Sequence, residues 1–326
     1  VLNSAEARVR ASGRPHSFLH ISKPEIDLPP DTDPYAAAVY AKGRENLDAL
    51  RASGILQRDP APYYYVYRLT MGNHVQTGLG AVAEVAAYEQ NRIRRHEFTR
   101  PQKEDDRVRQ ITALEAQTGP VFLTYRRLAE VDDLLAKIAA GPAEVDVSAD
   151  DGVRHQLWVM REAADIAAIS AAFAELSVLY IADGHHRSAA AARVAVERNL
   201  TGEVGTAVGS ANHDYFLSVL FPDNQVQILD YNRVVRDLNG HGREDFLARL
   251  EQDFTITPVA EPVRPQARAS FGMYLAGQWY RLALKPECIP THDPVAALDV
   301  SLLSSHLLEP ILGIADPRRD ERIDFV

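Results

Sequence analysis

Short apolar segments alternate with longer periodic segments between residues 121 and 198, and this alternation constrains the fold more than any other feature. The apolar runs predict strands and the periodic or alanine-rich segments predict helices. The predicted strands are Val121–Tyr125, Val153–Val159 and Val178–Ala182, and the predicted helices are Leu128–Ala140, Ala163–Leu176 and His186–Arg198. Alternation of this kind is typical of a mixed core, so we expect an α/β (α+β) fold.

The segments before residue 121 predict further elements around this core. Aromatic and β-branched runs at 63–69 and 75–79 flank Gly72-Asn73 and predict a hairpin, which a helix over 83–90 follows. Thr99-Arg100-Pro101-Gln102 has the pattern of a capping box at the start of a helix. Nearer the N-terminus we predict a helix near Ser4, a short strand over Phe18–Ile21 and a helix from Asp33-Pro34 to about Gly54.

Beyond residue 212 the pattern changes to strands, followed by a helical region. The predicted strands are Tyr215–Phe221, Val226–Leu229, Ser270–Leu275 and Trp279–Leu284, and the helical region is Asp293–Leu312. The glycine-bearing stretch 200–212 is therefore a candidate boundary. We predict an N-terminal segment 1–55, a core 56–200 and a strand-rich C-terminal subdomain 213–326.

Charge and composition exclude several classes of protein. The 326 residues include 45 acidic and 35 basic side chains, for a formal net charge of −10. A duplex-binding surface neutralises many phosphates, so nucleic acid is not expected as the main partner. No stretch approaches the roughly 18 apolar residues that span a bilayer, and the first residues carry no signal-like apolar run. We expect a cytoplasmic protein without a membrane partner.

The run Ala182-Asp183-Gly184-His185-His186-Arg187 places polar residues where a buried strand meets an alanine-rich helix. The first amides of such a helix have no partner within it and lie at the positive end of its dipole. Gly184 would let a ligand approach the backbone, and Arg187 adds a fork of donors. The segment 183–187 therefore predicts a phosphate-binding site. The alternative is a capped helix whose two histidines make ordinary hydrogen bonds.

The sequence also offers a possible zinc site and a possible dinucleotide-binding site. Asp183, His185 and His186 are suitable zinc ligands by type, but neighbouring histidines at a helix start point in different directions, and the chain has no HExxH motif. The run Gly78–Ala83 matches the GxGxxA pattern of dinucleotide-binding proteins, with Glu97 at about the spacing of their acidic residue. That run lies on the return strand of the predicted hairpin, which disfavours a dinucleotide site.

Two residues just before the predicted Thr99 cap are candidates for proton transfer. They are His96 and Glu97, and a carboxylate in this place could act as the general base for a substrate hydroxyl. Charge runs at helix starts are usually solvated, which is the alternative. The single cysteine, Cys288, excludes an internal disulfide. It lies between Pro286 and Pro290 with no local histidine, which favours an inert thiol.

Four separated motifs, taken in order, resemble the bacterial family catalogued as domain of unknown function 1015. They are Ser17–His20 with Pro24-Glu25, His96–Thr99 with Lys103-Glu104 and Asp106-Arg107, Ala182–Arg187, and Tyr231-Asn232-Arg233. The resemblance covers essentially the whole chain. Family members usually have an extra N-terminal piece and a longer C-terminal tail. Together with Val1 at the start and the apolar run Ile323–Val326 at the end, this predicts a fragment with a truncated C-terminal subdomain.

The Asp-Gly-His-His-Arg motif is also similar to that of free-serine kinases of the ParB/sulfiredoxin superfamily. In those enzymes the strand-to-helix motif binds nucleotide phosphates and an upstream glutamate activates the serine hydroxyl. The resemblance implies a ParB/sulfiredoxin-like mixed-sheet core with N- and C-terminal extensions. It also implies a phosphate site formed by Asp183, Gly184, His185, His186 and Arg187. His185 replaces the cysteine of sulfiredoxins, which excludes their thiol chemistry.

We therefore expect phosphotransfer to or from a small hydroxyl metabolite, with serine or phosphoserine favoured, in the kinase or the phosphatase direction. ATP or ADP would be the nucleotide, and Asp183 would help to hold Mg²⁺. Glu97, His96 and His185 would be the catalytic residues, with Glu97 taking the hydroxyl proton. The alternatives are a non-catalytic, nucleotide-responsive binding module and a metal-dependent nuclease, which the net charge disfavours.

Overall fold

The computed structural model describes residues 2–97, 99–200, 212–317 and 319–325. The chain divides into two compact units, Val1–Gln227 and Ile228–Val326. No helix in the described ranges is both long enough and apolar enough to cross a membrane. Most of the predicted boundary stretch, residues 201–211, lies outside the described residues.

The first unit contains eight α-helices and eight strands among its described residues. Its helices are α1 Ser4–Ala11, α2 Leu19–Ser22, α3 Ala37–Ala52, α4 Val85–Glu89, α5 Pro101–Leu114, α6 Ala129–Ile138, α7 Ala163–Ala174 and α8 His185–Leu200. Its strands are β1 Tyr64–Met71, β2 His74–Glu84, β3 Ile93–Arg94, β4 Val121–Tyr125, β5 Val145–Ser148, β6 Arg154–Met160, β7 Leu179–Asp183 and β8 Tyr215–Pro222.

These strands form one mixed sheet in the order β3-β7-β4-β8-β2-β1-β6-β5. The pairs β3/β7 and β4/β8 are parallel and the remaining pairs are antiparallel. The predicted hairpin is present as β1 and β2, joined at Gly72 with a φ of +58°. The mixed sheet with its helices confirms the α+β class.

The core of the first unit lies along the central strands and the helices that cover them. Val66, Leu123 and Ile181 are at most 1% exposed, and α8 packs Ala191 and Ala195 into the same cluster. Small alanine side chains let a helix approach a sheet closely. Full burial of a valine, leucine or isoleucine contributes about 1.5–3 kcal/mol. This burial fixes the end of β7 and the start of α8, where the polar motif lies.

The second unit has its own core and two small sheets. Its elements are β9 Arg233–Val235, α9 Arg243–Asp253, β10 Phe254–Val259, β11 Ser270–Leu275, β12 Gln278–Leu284, α10 Asp299–Leu303 and β13 Ile323–Phe325. The strands pair as β10-β12-β11 and β13-β9, all antiparallel. Leu250, Phe254, Leu282 and Leu302 are nearly fully buried in the core of this unit.

Two predicted strands are wrong. Residues Leu19–Ser22 form a helical turn instead of a strand, because Ile21 and Ser22 bond back to the Phe18 carbonyl. Short apolar runs do not distinguish a helix from a strand by themselves. The segment Val226–Leu229 is not a strand, since it pairs with no neighbour and Ile228 is 98% exposed.

Three further predictions differ from the structure in detail. The Thr99 hydroxyl donates to the Glu104 carboxylate at 2.5 Å instead of capping the backbone of α5. In the predicted helix 293–312, the Asp293 carboxylate accepts from the amides of Val295 and Ala296, which closes a turn and delays α10 to Asp299. Strand β8 follows the predicted boundary at 200–212 in the chain, yet it lies inside the large sheet of the first unit. The division between the two compact units falls between residues 227 and 228.

Candidate functional site

Parallel pairing of β3 and β7 brings two segments that are distant in the chain to the same edge of the sheet, namely the edge at which both strands end. Ile93 pairs with Leu179 and Arg94 with Tyr180. Because the two strands run in the same direction, the residues that follow each strand emerge side by side. His96 and Glu97 follow β3, and the segment 184–187 follows β7, about ninety positions later in the chain.

Gly184 makes the turn between β7 and α8. Its φ is +101°, a conformation that side chains rarely adopt. A Cβ at this position would lie 3.2 Å from the Cα of Val121 on β4 and 3.3 Å from the Arg187 guanidinium carbon. The glycine is therefore required by the backbone turn and by the close approach of β4. Its expected role in ligand access stays a prediction.

His185 is the buried side chain of the site. It is 5% exposed, and its Nε2 has no hydrogen-bond partner. Its Nδ1 lies 3.6 Å from Glu97 Oε2, and the His96 ring contacts it edge to face with centroids 4.5 Å apart. Burial lowers the pKa of His185, and the neighbouring His96 lowers it further. The neutral form of the ring is thus favoured, and its Nε2 is a buried polar atom without a hydrogen-bond partner.

His186 connects the starts of two helices. Its Nε2 accepts a hydrogen bond of 2.9 Å from the backbone N–H of Arg100, the residue before α5. The neutral ring therefore carries its proton on Nδ1. Burial lowers the pKa of His186, and the Lys103 ammonium lowers it further. An orphan amide at the start of α5 is thereby satisfied by a side chain of α8.

Helices α5 and α8 lie side by side and run in the same direction. Arg193, farther along α8, donates to Glu104 at 2.9 Å and to Asp105 at 2.7 Å, while Val108 packs against Ala190 and Val194. Both helix N-termini are therefore at the same edge of the sheet. The positive ends of both helix dipoles therefore lie near His185 and His186, and the carboxylates of Glu97, Asp183 and Glu104 also act on these two rings.

Arg187 and Asp183 bond to each other across the strand-to-helix turn. The Arg187 guanidinium donates to the Asp183 carboxylate and to the Pro120 carbonyl. The Asp183 side chain is 72% exposed and that of Arg187 is 34% exposed. Arg187 was predicted to present a fork of donors to a ligand. The structure shows that part of this fork anchors the loop before β4.

The predicted site residues thus form one group at the ends of β3 and β7. In this group the His185 ring is buried, and the carboxylates of Glu97 and Asp183 are exposed. Two cavities of about 230 and 350 Å³ lie elsewhere in the first unit. The first is lined by residues such as Tyr40 and Gln110, and the second by residues such as Glu84 and Asn199. Neither includes residues 183–187, so a concave shape at this edge remains a prediction.

The competing interpretations of these motifs are not supported. Asp183, His185 and His186 do not form a group of metal-ligating atoms within the part of the chain that the structure describes. The run Gly78–Ala83 lies within β2, paired with β1 on one side and β8 on the other. Gly78 is needed because a Cβ there would collide with the Leu220 carbonyl oxygen. A strand in the middle of a sheet cannot cradle a pyrophosphate.

The backbone amide of Arg100 and the carbonyl of Pro120 both bond to the motif, and neither contact was predicted from the sequence. Backbone groups carry no residue signature, so only the fold reveals such contacts. They explain how the motif is held: one helix start supports the other, and the loop before β4 holds the arginine.

The fold and site define an α+β protein with a cluster of histidines and carboxylates at a strand-to-helix turn. A family model described as "Protein of unknown function (DUF1015)" matches residues 1–301. The chain belongs to this family. No curated protein matches the chain, and no solved structure matches it.

Proposed function

We propose that this protein transfers a phosphoryl group to or from the hydroxyl of a small metabolite, with serine or phosphoserine as the first candidate. The observation that supports the proposal is that the Glu97 carboxylate lies 3.6 Å from Nδ1 of buried His185, while the His96 ring contacts the His185 ring edge to face. A phosphate site alone binds a ligand, whereas a carboxylate beside it can also accept a proton from an attacking hydroxyl.

The chain offers separate groups for the two tasks. The amides at the start of α8, together with His186, Lys103 and the exposed part of Arg187, would hold phosphate oxygens. His185 would steady the transferring phosphoryl group. Glu97, with its side chain 60% exposed, would take the hydroxyl proton.

The proposed cofactors are a nucleotide, ATP or ADP, and Mg²⁺. Mg²⁺ usually binds one or two carboxylates together with substrate phosphates, and Asp183 is an exposed carboxylate at this edge. A bound Mg²⁺ would neutralise phosphate charge. We further propose that the sheet edge belongs to a ParB/sulfiredoxin-like core and that the protein is cytoplasmic.

The experiment compares Glu97→Gln and Arg187→Ala in binding and turnover, with serine, phosphoserine and ATP or ADP in the presence of Mg²⁺. Loss of a general base costs about 10²–10⁴-fold in rate, so Glu97→Gln should turn over that much more slowly with nearly unchanged affinity. Loss of a charge-assisted hydrogen bond costs about 1.5–3 kcal/mol, so Arg187→Ala should weaken nucleotide or phosphoserine binding by roughly tenfold to a hundredfold.

Glu175→Gln is the matched control, because Glu175 is an exposed glutamate at the end of α7, before the opposite end of β7. It should bind and turn over like the wild type. Nucleotide binding without multiple turnover would favour the non-catalytic binding module. If Glu97→Gln lost only affinity, the glutamate would be a ligand contact and the proposed mechanism would be wrong.

A further inference from the structure

Three metal-ligating side chains meet in the second unit, outside the site described above. They are Asp253, Cys288 and His306, and one donor atom from each lies within 4.8 Å of the other two. Among the described residues, no other three side chains of these types bring their ligating atoms this close together. All three side chains are half-buried.

The fold places Asp253 and Cys288 together through strand pairing. Asp253 is the last residue of α9, and the next residue, Phe254, begins β10 opposite Leu284 of β12. The Lys285 amide donates to the Asp253 carbonyl at 2.9 Å, and the Cys288 amide donates to the Lys285 carbonyl at 2.9 Å. The pairing of β10 with β12 therefore places the Cys288 thiol close to the end of α9.

His306 arrives from a third element and at an irregular position. It lies in a π-helical turn, Ser304–Leu308, that follows α10. Such turns are rare and are often found at functional sites. The buried side chains of Leu307 and Leu308 anchor the turn in the core of the second unit, and His306 Nδ1 lies 2.7 Å from Asp253 Oδ2.

From this geometry we propose that Asp253, Cys288 and His306 form a binding site for a borderline-soft divalent metal, with Zn²⁺ as the best match. Thiolate sulfur, imidazole nitrogen and carboxylate oxygen are the ligand types that zinc takes in proteins. Ligands about 2.0–2.3 Å from a tetrahedral zinc lie roughly 3.5 Å from one another. The three donors therefore need only small side-chain rotations to reach that geometry.

Three protein ligands leave one tetrahedral position for water or a substrate atom, as in catalytic zinc sites. The site would also link the end of α9, the turn after β12 and the turn after α10. Cys288 thus has a histidine in space although none lies near it in sequence. The expectation of an inert thiol came from local sequence alone.

The test uses the full chain and exploits its single cysteine. Because Cys288 is the only thiol, its alkylation rate reports this site and no other. We expect one equivalent of Zn²⁺ to slow alkylation at least tenfold. We also expect Co²⁺ to produce a thiolate-to-metal charge-transfer band that Cys288→Ser abolishes.

The variants separate a metal site from a hydrogen-bonded cluster. His306→Ala should weaken Zn²⁺ binding by at least about tenfold, since even supporting residues of metal sites have effects of 10–100-fold. His241→Ala is the matched control, because His241 Nδ1 also lies 2.7 Å from an aspartate, Asp245, but no cysteine joins that pair. It should bind Zn²⁺ like the wild type.

Two outcomes would overturn the proposal. One is an alkylation rate that does not change in a Zn²⁺ excess, and the other is Co²⁺ binding without a thiolate band. Co²⁺ held only by His96, Glu97 and His185 would give the second result, because those residues offer no sulfur. The wild-type alkylation measurement decides the question even if His306→Ala fails to fold.

Discussion

A buried histidine with one unpartnered ring nitrogen is a costly group, because removal of a polar atom from water without a new hydrogen bond costs about 1–3 kcal/mol. His185 is such a group. Its ring contacts the His96 ring edge to face, and its Nδ1 lies 3.6 Å from the Glu97 carboxylate. The same burial makes a prediction about stability.

The free energy of unfolding should fall as the pH drops below about 6.5, the ordinary histidine pKa. The pKa of His185 and that of His186 are both lowered in the folded chain. Below the ordinary value, the unfolded chain therefore binds more protons than the folded chain. His185→Gln should flatten the dependence of Tm on pH between about pH 7.5 and 5.5. His16→Gln, at an exposed histidine, should leave the slope unchanged, and an unaltered slope in His185→Gln would contradict this assignment.

At the residue scale the sequence predicted which side chains meet but not what each of them does. The approach of His96 and Glu97 to the 183–187 segment follows from strand direction, and the structure shows it. The packing of Gly184 against β4 and the bond from Arg187 to the Pro120 carbonyl were not predicted. A glycine needed for packing and a glycine needed for ligand access look alike in sequence, and a guanidinium on a carbonyl cannot be foreseen from residue type.

At the scale of elements, the turn between β7 and α8 depends on Gly184. Gly184→Ala should destabilise the protein, because a non-glycine residue in such a conformation costs about 1–3 kcal/mol and its Cβ would press on β4. Gly152→Ala is the control: its φ is +81°, with no atom within 4 Å of the added Cβ. Chemical denaturation should show the larger loss for Gly184→Ala. Equal losses would mean that the contact with Val121 does not matter.

Most long periodic elements were predicted, whereas short or exposed ones were missed. Strand β3 has two residues, too few for any periodic pattern, yet its pairing assembles the site. Strand β5 alternates apolar and polar residues, but it has only four residues and is exposed along its whole length. Helix α9 and strand β10 were also missed, because they follow one another without an intervening turn signal.

At the scale of the whole molecule, each unit has its own core, so we expect each to lose protection against hydrogen exchange on its own. Leu123→Ala and Leu250→Ala both remove a fully buried leucine side chain and should cost about 2–5 kcal/mol. Exchange should accelerate within 2–227 for the first variant and within 228–325 for the second. Acceleration across both ranges in either variant would show that the units unfold together.

The position of β8 in the sheet has a consequence for synthesis on the ribosome. Strand β8 lies between β4 and β2, so it alone joins β3-β7-β4 to β2-β1-β6-β5. Until Pro222 has left the exit tunnel, the nascent chain holds two partial sheets, each with an unpaired edge that can recruit other chains. We expect chains stalled before Tyr215 to aggregate and chains released after Gln227 to remain dispersed. Sedimentation of the two truncated products would measure this, and a dispersed shorter product would contradict it.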